Sequence, residues 1–464
     1  MLTATNPNFV SVPAIEETLS RAECDPIRFR EILARARELK GLEPEDVAAL
    51  MSVQGTDELQ ELFHTAREVK ETIYGRRIVL FAPLYISNLC SNECVYCAFR
   101  KSNHGLPRRV LTQEEIRQEV LSLVKQGHKR ILLVAGESLP QEGISYILKS
   151  IETIYQSTYG RGEIRRVNVN IAPLSVEDFR ELKRSGIGTY QLFQETYHPA
   201  VYARYHHRGP KKDYLWRLTA MDRAMQAGID DVGVGVLFGL YDWRFEMLAL
   251  MQHIRHLENE FGVGPHTISV PRMEPADGAE IASNPPYPVS DTDFLKLIAI
   301  LRLAVPYTGM IMSTRETAQV RRETLALGVS QISAGSRTNP GGYTQQPEES
   351  GSQFSLGDHR SLEEVVQDLF AAGFIPSFCT ACYRLGRTGQ DFMDLAKPGE
   401  IKHHCDPNAY STFQEYLEDY ASPQTRQCGA LKISEWLAQM EPVPRRIAQQ
   451  LVKEVENGKR DVFV

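Results

Sequence analysis

From residue 78 onward, short apolar runs alternate with longer amphipathic segments, which is the rhythm of repeated β-α units. Strand candidates fall at residues 78–85, 130–135, 166–171, 189–193, 231–237, 267–271, 309–313 and 329–333. Between them the helices carry start and stop signals. Thr112 and Glu115 form a capping box before a helix at 114–125, Ile116, Val120, Leu123 and Val124 share one face, and Gly127 stops it. Ser361 and Glu364 repeat that opening signal. Eight parallel strands with intervening helices predict the α/β class and a closed (β/α)8 TIM-type barrel; an incomplete barrel of six strands is the alternative.

The flanks read differently. Residues 27–40 and 56–74 show helical apolar stripes with Gly41 as a stop, predicting an N-terminal helical extension that packs against something larger. Residues 338–357 are rich in Asn, Pro, Gly, Gln, Glu and Ser and read as a connector. The expected organisation is an extension at 1–77, a barrel at 78–337 and a mainly helical C-terminal domain at 338–464.

With 464 residues, the chain exceeds the about 250 of a typical barrel, which leaves room for these appendages. Its formal net charge of −7 argues against a nucleic-acid partner, because phosphate binding needs a basic surface. The apolar stretch from Leu295 to Val305 is broken by Lys296 and Arg302, so no membrane span is expected. Met1-Leu2-Thr3-Ala4-Thr5-Asn6-Pro7 lacks a basic region followed by an apolar core, so no secretory signal is expected and the cytoplasm is the expected compartment. Of the eight cysteines, Cys24 and Cys428 stand alone and read as structural. The other six form two triplets, which reads as metal ligation in a reducing compartment.

Cys90, Cys94 and Cys97 follow the first strand in a C-x3-C-x2-C pattern with Tyr96 before the last cysteine. Thiolates select zinc, cuprous copper or iron–sulfur clusters. No fourth cysteine or histidine follows closely, so a four-iron cluster with one open iron is the economical reading, with a zinc knuckle completed from afar as the alternative. An open iron can chelate an amine and a carboxylate, which is how S-adenosylmethionine is held for reductive cleavage.

In such barrels the active site lies at the carboxyl ends of the strands, and polar residues collect there. Gly136, Glu137 and Glu195 are candidates for holding the sulfonium amino acid and its ribose. Asn170 lies on the third strand, and Gly235 on the fifth would permit close approach of adenine. Ser313 and Arg315 end the seventh strand, Ser336 and Arg337 the eighth, and either arginine could grip a substrate carboxylate by a bidentate fork. His206-His207 reads as a loop after the fourth strand, and His266 opens the sixth.

Cys379-Thr380-Ala381-Cys382 reaches Cys405 after 22 intervening residues. With His403 and His404 beside Cys405, spacing leaves a closed zinc site and a second open cluster equally open. Gly386-Arg387-Thr388-Gly389 between them suits an anionic ligand.

The first triplet resembles that of radical S-adenosylmethionine enzymes. Gln194-Glu195-Thr196-Tyr197, Pro265-His266-Thr267-Ile268-Ser269-Val270-Pro271-Arg272 and Met312-Ser313-Thr314-Arg315-Glu316 together resemble the tyrosine- and tryptophan-lyase branch. The second triplet, with the Gly386–Gly389 loop, looks like that of the tyrosine lyases that mature FeFe-hydrogenase; lyases of the thiazole pathway share the barrel but are expected to lack it. The resemblance implies a 4Fe-4S cluster on Cys90, Cys94 and Cys97 that cleaves S-adenosylmethionine to a 5′-deoxyadenosyl radical. It also implies cleavage of the Cα–Cβ bond of L-tyrosine to p-cresol and dehydroglycine. At a second 4Fe-4S cluster on Cys379, Cys382 and Cys405, carrying an extra iron, the fragment would yield carbon monoxide and cyanide for the hydrogenase H-cluster. L-cysteine and a histidine, carried to His266 by motif context, are the implied ligands of that iron. Implied partners are an electron donor such as ferredoxin or flavodoxin and the other hydrogenase maturation proteins. Outside this branch, a non-catalytic iron–sulfur scaffold is the remaining alternative.

Overall fold

In the computed structural model the described residues are 8–140, 142–344 and 351–464. Met1 to Pro7 and residues 345–350 of the connector lie outside them. Eight parallel strands form the central sheet: β1 (Arg77–Ser87), β2 (Arg130–Ala135), β3 (Arg166–Asn170), β4 (Tyr190–Glu195), β5 (Val232–Val236), β6 (Thr267–Ser269), β7 (Gly309–Met312) and β8 (Gln331–Ser333). Each neighbours the next in chain order, and β8 pairs back onto β1 through Val79↔Gln331, Leu80↔Ile332 and Phe81↔Ser333. The barrel is therefore closed, as the alternation of apolar runs predicts.

All eleven residues of β1 are buried. At ~3.3 Å per residue such a strand is long enough to run from one mouth of the barrel to the other. The upper part pairs with β2 from Ala82 onward. On the same edge the lower part pairs with a ninth strand, β9 (Ile375–Ser377), through Arg77↔Ile375, Ile78↔Pro376 and Val79↔Ser377. The strand pattern misses β9, which is three residues long and carries Pro376, a residue without an N–H for a sheet ladder.

Helix Thr56–Tyr74 occupies its predicted span and packs on helices Asp291–Ala304 and Ala318–Leu327 of the barrel wall. The predicted helix at 27–40 is shorter, Pro26–Ala36. Its chain turns at Leu39 and Gly41, both with positive φ, and a Cβ on Gly41 would sit 2.7 Å from the Ala304 carbonyl oxygen. Arg302, which breaks the apolar run, is buried and donates to the carbonyls of Pro306, Thr308 and Gly328 at 2.7, 2.9 and 2.7 Å. A guanidinium here satisfies three loop carbonyls that an aliphatic side chain would leave unpaired. Among the described residues no helix is long and apolar enough to cross a membrane.

The C-terminal region is mainly helical, built on Lys402–Asp419, Pro423–Gln439 and Pro442–Glu456. A buried ion cluster joins it to the bottom of the barrel. Glu415 of the first of these helices accepts both guanidinium nitrogens of Arg165, at 3.1 and 2.6 Å, and lies 3.2 Å from Lys129. Lys129 and Arg165 immediately precede β2 and β3.

At the opposite mouth, β4 ends in an irregular turn. Glu195 has φ 72, a left-handed conformation that side chains other than glycine rarely adopt. Glu246, buried on helix Trp243–Phe261, fastens the next two residues: it accepts from the Thr196 hydroxyl and, at 2.8 Å, from the Tyr197 N–H. Burial pushes its carboxyl from the ordinary 4.5 up to about 8. Such a group holds its proton more tightly in the fold. Its stabilising contribution is therefore full below about pH 4.5 and is lost as pH rises through about 8. A Glu246→Gln variant should lose this dependence, so its melting temperature relative to wild type should rise between pH 5 and pH 9. Parallel melting curves for the two proteins would reveal a mistaken assignment.

Candidate active site

Cys90, Cys94, Cys97 and Tyr96 come together at the carboxyl ends of the strands, lining one cavity with Gly136, Glu137, Asn170, Glu195, Ser313 and Arg315. Gly136 is required by close approach, since a Cβ there would lie 2.2 Å from the Leu89 carbonyl oxygen. Three of the predicted residues do not line this cavity. The space beside Gly235 is filled by the Phe193 ring and the Ser269 carbonyl, 2.6 and 2.9 Å from where a Cβ would stand, so this glycine serves strand packing. Arg337 turns back on the chain, donating to the Ser336 carbonyl at 3.0 Å, and Ser336 is buried away from the cavity.

The thiols are protected from water. Burial pushes Cys90 up to about 11, with the Glu137 charge adding to it, and burial likewise raises Cys94 and Cys97. A metal centre is what converts such thiols to thiolates at neutral pH. Gln353, from the segment after β8, reaches over with its amide 3.9 Å from the Cys97 sulfur, and its carbonyl accepts from the Tyr85 hydroxyl at 2.7 Å.

Four side chains of the wall neutralise one another. Lys211 lies 2.7 Å from Glu195 and 3.5 Å from Glu137, while Arg217 lies 2.8 Å from Glu137 and 3.4 Å from Glu195. Burial by itself would raise the Glu137 carboxyl, but Arg217 and Lys211 hold it down at about 2. Sequence reasoning missed both cations because they sit on short helical turns, Pro210–Lys212 and Tyr214–Leu218, well after β4. It also read His206 only as loop. Tyr96 shares a 2.8 Å hydrogen bond with His206 Nε2, while Nδ1 lies 2.8 Å from the Tyr202 carbonyl. Since a carbonyl only accepts, Nδ1 carries the proton and Nε2 accepts from the tyrosine hydroxyl.

The second triplet lies at the opposite mouth. Cys379, Cys382 and Cys405 line a cavity with His266, Tyr74, Arg77, Arg130 and Tyr383. Arg77 and Arg130 begin β1 and β2, and His266 directly precedes β6. The His266 ring packs 4.3 Å from Phe392, and its buried Nδ1 has no hydrogen-bond partner, with Asp231 3.7 Å away. Burial lowers its pKa, so the ring is neutral, the form that ligates metals. His403 pairs with Glu400 at 3.3 Å, and neither it nor His404 lines this cavity. Among the described residues no group of three or more His, Cys, Asp or Glu is arranged to hold a single metal ion.

The two arms carrying this triplet are tied by one short segment. Asp461 pairs bidentately with Arg384, two residues past Cys382, and its N–H donates to Glu415 at 3.0 Å. Val464 exchanges two hydrogen bonds with Asn408, at 2.8 and 3.0 Å, and its carbonyl accepts from Arg387 at 2.6 Å. Arg387, which the sequence offers to an anion, is thus engaged in holding the chain.

The sequence profile of the Radical SAM superfamily matches residues 84–253, and that of the Biotin and Thiamin Synthesis associated domain matches residues 269–375. The 2-iminoacetate synthase of Salmonella typhimurium is 33% identical over 375 residues, covering 79% of this chain and 97% of the relative. A crystal structure of HydG, a maturase of the FeFe-hydrogenase, superposes with a TM-score of 0.95 at 49% identity, covering 98% of this chain and 100% of that one. HydG from Carboxydothermus hydrogenoformans superposes at 0.84 with 42% identity, covering 95% and 96%. By identity and by coverage at both mouths of the barrel, the chain belongs to the radical SAM superfamily and, within it, to the HydG family.

Proposed function

We propose that this protein is a radical S-adenosylmethionine tyrosine lyase of FeFe-hydrogenase maturation. It cleaves L-tyrosine between Cα and Cβ to p-cresol and dehydroglycine, and the fragment becomes carbon monoxide and cyanide at a second site. One observation carries the reading: two thiol triplets line separate cavities at opposite mouths of a single barrel. A lyase that only released dehydroglycine would have no use for the second. The 2-iminoacetate synthase relatives support the first half, and the HydG likeness over nearly the whole chain supports both.

Cys90, Cys94 and Cys97 would hold the 4Fe-4S cluster that, when reduced, supplies the 5′-deoxyadenosyl radical from S-adenosylmethionine. The surrounding chain binds and orients. Glu137 and Glu195, held in place by Lys211 and Arg217, are placed to accept from ammonium and ribose hydroxyl groups. Gly136 lets the cysteine loop pack closely against the end of β2, and the Tyr96–His206 pair stiffens the loop between cysteines. Phe81, Leu132, Val134 and Phe193 of the wall exclude water from a reactive intermediate. Arg315 is the carboxylate-gripping residue.

Cys379, Cys382 and Cys405 would hold the second 4Fe-4S cluster, and His266 with L-cysteine would ligate an additional iron that would supply an acceptor for carbon monoxide and cyanide. Arg77 and Arg130 beside them offset its negative charge. A low-potential carrier such as ferredoxin or flavodoxin would supply electrons, other maturation proteins would receive the product, and the cytoplasm is the compartment.

The test is anaerobic reconstitution with reductant, S-adenosylmethionine and tyrosine, followed for p-cresol, carbon monoxide and cyanide. All three should appear. Absence of p-cresol would overturn the lyase reading, and p-cresol without carbon monoxide would favour delivery of dehydroglycine to thiazole synthesis. In a Cys379→Ser variant, p-cresol should persist within about twofold while carbon monoxide falls at least about tenfold, the scale on which lost ligation acts. Loss of both from a folded variant would contradict the division between the two mouths.

A further inference from the structure

The upper cavity wall carries six carboxylate and cationic side chains: Glu137, Glu195, Lys211, Arg217, Glu274 and Arg315. The first four pair with one another, as described above. The remaining two do not. Glu274 and Arg315 are both half-buried, and among the described residues neither side chain has an ion-pair or hydrogen-bond partner. Arg315 is held instead by its guanidinium stacking 3.3 Å from the centre of the Phe354 ring.

Their neighbours explain why they stay unmatched. Arg272, two residues before Glu274, is taken up by a bidentate pair with Glu316 and by Asp291 at 2.8 Å. That leaves Glu274 and Arg315 to act on each other only through space, with no contact partner for either. An unpaired carboxyl and an unpaired guanidinium facing the same enclosed space cost stability unless a ligand completes them. The ligand class that brings both opposite charges together is an α-amino acid, whose carboxylate suits the guanidinium fork and whose ammonium suits the carboxylate.

Building on the lyase reading above, in which Arg315 grips the substrate carboxylate, we propose that Glu274 completes that grip from the ammonium side and is the base that takes a proton from the ammonium group. Arg315 grips the carboxylate. In the proton transfer an N–H bond of the substrate breaks, an O–H bond forms on Glu274, and the electron pair stays on nitrogen. No oxidant or reductant is involved. The free amine that results is what an imine product such as dehydroglycine requires. Burial and the Glu316 charge raise the Glu274 carboxyl, Arg315 and Arg272 lower it, and the balance lies at about 7. That matches a base working near neutral pH.

The wild-type p-cresol kcat/KM should therefore show an acid limb near pH 7. Glu274→Gln, of the same shape and still able to accept from ammonium, should lower kcat about 100-fold. Its KM for tyrosine should move far less, and the acid limb should vanish. Glu274→Asp should recover part of kcat together with the limb. Arg315→Gln should instead weaken tyrosine binding, measured anaerobically by calorimetry in the reconstituted holoenzyme with S-adenosylmethionine, by about 100-fold, the loss expected when a charge-assisted pair is broken. A kcat for Glu274→Gln within threefold of wild type, or an acid limb that survives in it, would overturn the assignment of the base. Unaltered tyrosine binding in Arg315→Gln would overturn the clamp. Should wild type make no p-cresol at all, the tyrosine reading fails, and the clamp is still tested by titrating other α-amino acids into wild type and both variants.

Discussion

The two cavities depend on the pairing of a single strand. β1 is long because it serves three partners: β8 closes the barrel on one edge, while β9 and β2 share the other in succession. Its first residue, Arg77, stands in the wall of the second thiol cavity, and three residues beyond its last lies Cys90. Shortening it would detach β9, and with β9 the arm that leads directly into Cys379. Every residue of the strand is buried, so the hydrophobic effect holds the two sites in one rigid frame. The lower cavity gains a second brace from the ion cluster of Glu415, Arg165 and Lys129, which fixes the helix of Cys405 beneath β2 and β3.

Electrostatics distinguishes the two mouths. Above, carboxylates and cations alternate and neutralise, leaving one separated pair free to select a zwitterion. Below, Arg77 and Arg130 line the cavity of the cysteines, an environment suited to thiolates and a negatively charged cluster. The Cys382 thiol is lowered first by its hydrogen bond with Cys405, and then by Arg387 and Arg77 once burial is offset. Residues 461–464 lock both arms of this site by contacting Arg384, Arg387 and Asn408. A ligand set drawn from segments 22 residues apart keeps its geometry this way.

Much of this was legible in the sequence, because the signals were periodic or compact. The eight strands follow from alternating apolar runs, and the capping boxes at Thr112 and Ser361 start helices where expected. The triplets announce their own cavities, since cysteine spacing survives whatever the rest of the fold does. Contacts between distant segments were not legible. Lys211 and Arg217 look like ordinary surface cations until the turn after β4 folds them over Glu137 and Glu195. Gly235 carries the same glycine signal as Gly136, yet one faces a phenylalanine ring and the other the cysteine loop. Arg315 and Arg337 are alike as strand-end arginines, and only the course of the chain after β8 separates them. Glu274 offers no motif at all; it stands out because its neighbours have already paired.

In the proposed function one barrel performs two reactions in order, the upper mouth feeding the lower. Timed quenching of a single-turnover reaction with uniformly carbon-13-labelled tyrosine resolves that order. Labelled p-cresol should appear first, followed after a lag by labelled carbon monoxide and cyanide, with no labelled glyoxylate in excess of the p-cresol left unmatched. Labelled carbon monoxide appearing ahead of p-cresol, or carbon monoxide without label, would rule out passage of the tyrosine fragment from the upper mouth to the lower.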